Sequence, residues 1–307
     1  MKILYTLFFL FLTGCILTHS QISLYYALTG LQLWFQKMIP TLLPFMIISG
    51  IMVRMRLTEG FSALLYPFLR PLYQVRKNVC YAMIMGFLCG FPMGARVTAD
   101  LLSRRMITQR EAEYLMAFCN NIGPVYFCSF VLPLLHRRLI GPYLFGMYGL
   151  PLLYGLFLRH TRFRDLSLST PEKKKEDRIS WKKESILAEV DDAVSASVQS
   201  ILSLGGYMIL FNLLNLLPHI LTGSPFAPTA PILEITGGLN LLSDKAPLYS
   251  LLALSFGGLS CIAQTYSCLK GTGLSILQYA GHKAILTALA AVYYFLWFLL
   301  SPSSFLR

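Results

Sequence analysis

Apolar runs of membrane length alternate with short basic loops along the whole chain. The runs near Ile3–Thr18, Leu24–Val53, Ala112–Leu135, Leu139–Leu158, Ile201–Leu217, Pro247–Leu269 and Ala284–Leu300 predict about seven spans, since a helix needs roughly 20 apolar residues to cross a bilayer. The first carries Leu12-Thr13-Gly14-Cys15, the form of a lipoprotein cleavage box. A membrane span is the expectation there, with a cleaved signal as the alternative. The second is overlong and holds Lys37, Pro40 and Pro44, which predicts a bent or two-part helix. Arg54–Lys77, basic and carrying Pro67 and Pro71, reads as an interfacial helix. Ile186–Ser200 reads as amphipathic.

Two segments depart from the span pattern. Val79–Leu102 is apolar, yet Gly86, Gly90, Pro92 and Gly94 occupy its middle, with Arg96 and Asp100 close behind. That centre predicts a re-entrant hairpin, whose exposed backbone is tolerated only where it lines a cavity. Pro225, Pro228 and Pro231 lead into a second such segment, Glu234-Ile235-Thr236-Gly237-Gly238-Leu239-Asn240. Each hairpin precedes an interrupted span, one broken at Asn120-Asn121-Ile122-Gly123-Pro124 and the other at Gly257-Gly258. The two blocks share Leu-Leu-Ser after the hairpin, at Leu101–Ser103 and Leu241–Ser243. They predict an all-α polytopic protein built as an inverted repeat, with a solute bound where the breaks meet. Four units follow: residues 1–78, N-terminal spans and interfacial segment; 79–158, first repeat; 159–200, basic linker and amphipathic helix; 201–307, second repeat.

Composition agrees. Of 307 residues, 55% are hydrophobic and 13% charged, with a mean hydropathy of +0.59; a soluble domain carries about 25% charged residues. The net charge of +12 is assigned to cytoplasmic loops, and no basic stripe interleaved with stacking aromatics points to nucleic acid. With Lys2 inside and the spans alternating, Arg137, Arg138, Lys245 and Arg307 fall outside, and Lys37 and Arg96 lie at membrane depth. The linker Arg159–Glu184, with Lys173-Lys174-Lys175, falls inside. The seven cysteines form no CxxC pair, and the chain has no P-loop, GxGxxG or HExxH. The expectation is therefore a non-enzyme with neither cofactor nor metal.

The candidate residues are polar groups at membrane depth. Arg96 must be paired or wet there, and its fork suits a carboxylate; a helical pair with Asp100 at i,i+4 is the structural alternative. Asn120 and Asn121 sit where the span would unwind and can read a solute or cap the broken helix. Glu234 can hold a coupling proton or sodium ion, or stand as a solvated acid at the membrane edge. Gln264 can donate to a solute or join helices. Gly94, Thr236, Gly237 and Ser260 complete the candidate solute-binding set.

At GFPMGARVTADL (Gly90–Leu101), AFCNNIGP (Ala117–Pro124), EITGGLN (Glu234–Asn240) and GGLSCIAQ (Gly257–Gln264), the chain resembles the YlbJ-type, or SpoVV, sporulation membrane proteins of the nucleoside-recognition Gate domain group. Order and spacing match from about Leu31 to Leu300. The resemblance implies a fold similar to concentrative nucleoside transporters, in a multi-pass protein of the outer forespore membrane. It also implies movement of dipicolinic acid, a planar pyridine dicarboxylate, out of the mother-cell cytoplasm. Arg96 and the asparagine pair are sensible ligands for such an anion. The glutamine-threonine-glutamate hairpin signature of nucleoside transporters is missing, which counts against nucleoside uptake. A second expectation is a non-transporting scaffold or gate subunit, acting as a homo-oligomer or with a sporulation membrane partner, docked through the linker.

Overall fold

The computed structural model describes residues 2–135, 140–166, 183–242 and 245–300. Lys173–Lys175, Arg137, Arg138, Arg307 and most of the expected linker lie outside them. Every regular element among the described residues is helical.

The chain opens with α1 (Lys2–Thr18) and α2 (Ser20–Arg54). α1 has 17 residues and is exposed along almost its whole length. α2 runs for 35 residues through a π-helical turn at Trp34–Met38. Pro40 follows directly and offers no N–H to the preceding turn, so the expected interruption is a widened turn inside one helix. Short helices α3 (Thr58–Ser62) and α4 (Tyr66–Tyr73) follow, with Leu64, Phe68 and Leu72 exposed.

α5 (Lys77–Cys89) and α6 (Met93–Ser103) form a helical hairpin. At 13 and 11 residues each arm is about 20 Å long or less, too short to cross a ~30 Å core. Gly90 turns the chain at φ +82°, and the Phe91–Pro92 bond is cis. α7 (Gln109–Phe118) starts on a capping box between Thr108 and Glu111. It stops at residues 119–123, and α8 (Pro124–Leu134) resumes on Pro124. Phe91 N–H donates to Asn121 O at 2.6 Å, so the hairpin tip seats on this break.

α9 (Gly141–His160) is of membrane length and passes through a π-helical turn at Phe145–Gly149. α10 (Lys183–Leu213) is one uninterrupted helix of 31 residues, merging the expected amphipathic stretch and the span after it. α11 (Leu216–Thr222) continues it toward the far end. α12 (Ala230–Leu233) and α13 (Ile235–Leu242) make the second, tighter hairpin around Glu234. α14 (Pro247–Phe256) and α15 (Gly258–Leu269) are two halves of one membrane-length helix, broken at Gly257 and Gly258 with φ +91° and +77°. A Cβ on Gly258 would meet Pro231 O at 2.9 Å, so this break also seats on its hairpin. α16 (Ile276–Leu300) closes the chain. It starts eight residues before the expected Ala284.

Among the described residues, five helical stretches are long and apolar enough to cross a membrane: Ser20–Arg54, Gly141–His160, Ile186–Thr222, Pro247–Leu269 and Ile276–Leu300. The first and third expected spans differ from the other five: α1 and the halves α7 and α8 are shorter helices than the five of membrane length.

One end of the bundle is basic. Arg76 and Glu111 form a buried two-pronged pair there, with Nε–Oε1 at 2.8 Å. Arg159 donates to Tyr73 O at 2.8 Å, Phe163 O at 2.6 Å, Gln74 O at 3.2 Å and Leu166 O at 2.9 Å. Arg110 meets Asp165 at 3.2 Å, and that hydrogen bond holds the exposed Asp165 carboxyl below the usual carboxylate range. Both arms of the first hairpin start and end at this face.

Candidate functional site

The two hairpin tips and the two helix breaks converge on one chamber. Phe91 of the first tip, Ile122 and Gly123 of the first break, Glu234 to Thr236 of the second tip, and Cys261 and Gln264 just past the second break all line it. α2 contributes Met38, Thr41 and Leu42, and α10 contributes Leu204 and Met208. The open volume is about 40 Å³. Glu234 is the one charged side chain in this lining.

Glu234 is 1% exposed. Its backbone is extended at φ −140°, and its carboxylate accepts from Thr236 N at 3.1 Å, Gly237 N at 2.6 Å and Asn212 Nδ2 at 3.1 Å. This is a helix cap: the carboxylate satisfies the first free N–H groups of α13 and faces the positive end of its dipole. The structure thus corrects the solvated-acid alternative, because Glu234 is buried in the protein. Thr236 Oγ1 accepts from Tyr126 OH at 3.2 Å, joining the second tip to α8. Gly237 packs against Asn212, where a side chain would strike its amide oxygen.

A second, larger cavity of about 160 Å³ opens toward the basic end. Arg96, Asp100, Ser200, Ser203, Tyr207 and Ser267 give it a polar lining. Arg96 Nε stands 3.8 Å from Asp100 Oδ2. Pair and cavity coexist: the guanidinium faces the open volume and keeps its helical partner. Further out, Arg54 and Arg104 join the same two residues around a third, smaller recess. Arg54 reaches Asp192 at 3.0 Å and Glu189 at 3.4 Å across to α10.

The asparagines do not line the chamber. Asn120, 2% exposed, accepts from Ala95 N at 3.3 Å and donates to Thr265 Oγ1 and Tyr279 OH, both at 3.0 Å. Asn121 donates to Phe118 O at 2.6 Å. They bind the unwound backbone to α6, α15 and α16. Gly94 lies under the same break, where a Cβ would come within 3.1 Å of Asn120 Oδ1. Ser260 is fully buried and accepts from Gln264 Nε2 at 2.9 Å. Gln264 lines both the chamber and the polar cavity.

Lys283 was outside the expected set. It is 2% exposed on α16, and Nζ lies 3.4 Å from both Asn120 O and Asn121 Oδ1 and 5.7 Å from the Phe91 ring centroid. It places an ammonium directly behind the first break and behind an aromatic wall of the chamber. The readable signal is its position in a buried helical stripe, Tyr279, Lys283, Leu286, Ala290 and Tyr294.

Among known proteins, the chain is similar to the sporulation integral membrane protein YlbJ of Bacillus subtilis (strain 168). Identity is 30% over 330 aligned positions, covering 93% of this chain and 80% of that one. No family model matches. No solved structure matches.

Proposed function

The chain belongs to the family of the sporulation integral membrane protein YlbJ, and from that premise we propose that it is a secondary transporter for a small planar anion, dipicolinate in the first instance. The direction proposed is out of the mother-cell cytoplasm, across the outer forespore membrane. One observation carries the reading: Arg96, at membrane depth, faces a polar cavity that leads to a chamber bounded by two hairpin tips and two broken helices. An arginine so placed is a functional group by default, and its planar fork matches a carboxylate in two-pronged fashion.

The finer architecture belongs to the same proposal. Seven crossings plus two re-entrant hairpins form an inverted repeat, similar in plan to concentrative nucleoside transporters. α5–α6 enters from the basic, cytoplasmic face and α12–α13 from the opposite face. Their tips meet at mid-depth, where irregular backbone lines a cavity instead of facing lipid. Glu234 carries the coupling role, for a proton or a sodium ion, because it is the carboxylate in the chamber wall.

The test is uptake of labelled dipicolinate, with uridine in parallel, by proteoliposomes containing this protein alone. Dipicolinate flux that falls at least about tenfold in Arg96→Ala, the loss expected for one charged hydrogen-bonding group, supports the reading. Flux of uridine but not dipicolinate moves the substrate class to nucleosides. No flux of either solute from folded, inserted protein moves the function to a partner-dependent scaffold or gate subunit.

A further inference from the structure

The polar cavity and the inner chamber share two lining residues, Leu204 and Gln264. On α10, Ser200, Ser203 and Tyr207 line the polar side, Leu204 lines both, and Met208 lines the chamber alone. On α15 the order runs the other way along the chain. Ser267 and Cys268 line the polar side, Gln264 lines both, and Cys261 lines the chamber alone. Lining residues on each helix thus change character within about one turn on either side of the same level. Leu204 is 3% exposed and belongs to the main apolar core. The Gln264 amide is folded back on Ser260 at 2.9 Å.

We infer that Leu204 and Gln264 form a partition across the path, one apolar half and one amide half, that closes the inner chamber from the basic end and selects what crosses. A flat anion with an apolar ring can slide past the Leu204 methyls while its polar edge exchanges hydrogen bonds with Gln264. A small hydrated inorganic anion meets the same methyls and loses its water without compensation. The purpose given to the partition rests on the transporter reading, but its existence is testable without any transport.

The chain carries its own reporters, one cysteine on each side of the partition. Single-cysteine proteins keep either Cys261 or Cys268, with the other six of the seven cysteines changed to alanine. They are treated in inside-out membrane vesicles, which present the basic end, with a small anionic methanethiosulfonate reagent. Cys268 is expected to react at least about tenfold faster than Cys261, because a residue behind a closed partition is reached only through transient opening. Leu204→Ala is expected to raise the Cys261 rate about tenfold and leave the Cys268 rate unchanged, whereas Leu204→Met, which conserves volume, leaves both unchanged. Gln264→Ala provides a second opening that does not cut into the apolar core. Equal rates at the two cysteines in the otherwise native protein overturn the inference. So does a Cys261 that stays protected in a folded Leu204→Ala or Gln264→Ala protein. Loss of dipicolinate flux with the reactivity contrast intact would instead remove the proposed solute and keep the partition.

Discussion

The two halves of the molecule solve one problem by different chemistry. Each must leave a helix unwound at depth, where every freed N–H and C=O needs a partner inside the protein. The first half unwinds residues 119–123 and ties them down with side chains: Asn120 makes three hydrogen bonds and Asn121 one, and Lys283 comes from another helix. The second half breaks at Gly257 and Gly258, which turn the chain through positive φ. It places its polar group on the hairpin instead, where Glu234 caps α13. The first break is therefore a cross-linked joint, and the second is a glycine hinge beside the buried Glu234 carboxyl.

That contrast predicts opposite sensitivities, to loss of side chain in the first half and to gain in the second. Asn120→Ala removes the acceptor of Ala95 N–H and the amide donor shared by Thr265 and Tyr279 at once. At about 1–3 kcal/mol for each unpaired buried group, it should cost about 3 kcal/mol or more and lower the melting temperature in detergent more than any change below. Gly258→Ala forces a Cβ against the Pro231 carbonyl in a left-handed conformation, at a cost of about 1–3 kcal/mol. If Gly258→Ala melts like the parent protein, the second break is not held closed against its hairpin.

Lys283→Met sharpens the comparison. The ammonium has long contacts to neutral oxygens and, among the described residues, no carboxylate within ion-pair distance. Exchanging it for an apolar side chain of similar length should shift stability by less than about 1 kcal/mol. A much larger loss would make Lys283 part of the joint itself. Asp165→Asn, at the exposed basic end, should have the smallest effect and a definite pH sign. Arg110 lowers the folded-state affinity of Asp165 for its proton, so the pair stabilises above the ordinary carboxylate value of about 4. That contribution fades as the pH falls through the lower folded-state value. Melting curves of parent and Asp165→Asn proteins should differ slightly near pH ~7 and converge in strong acid.

Much of this fold is written locally. Gly86, Gly90, Pro92 and Gly94 inside an apolar run announce the first hairpin, and Asn120 to Pro124 announces the first break, because few sequences put such residues mid-membrane without turning there. What the sequence conceals is partnership at a distance. Glu234 reads as a polar residue near a span end; that it is buried depends on Asn212, 22 positions earlier. Asn120 and Asn121 read as solute ligands because their amides are free to bond in either direction. The fold spends them on Ala95, Thr265, Tyr279 and Phe118. Lys283 is hard to read from sequence because a lysine usually marks a helix end, whereas Gly271 and Gly273 turn the chain earlier and α16 starts at Ile276.

One feature of the bundle has a mechanical side. α10 is an unbroken rod of 31 residues, about 46 Å long, and it carries a component of every station along the path. Glu189 and Asp192 grip Arg54 at the basic mouth, Ser200 and Ser203 face the polar cavity, Leu204 stands at the partition, and Asn212 holds the Glu234 cap. Leu204 lies ~20 Å along the helix from the mouth, with Asn212 beyond it. The mouth, the partition proposed above and the Glu234 cap therefore share one mounting, and any displacement of α10 as a single body would be felt at all three.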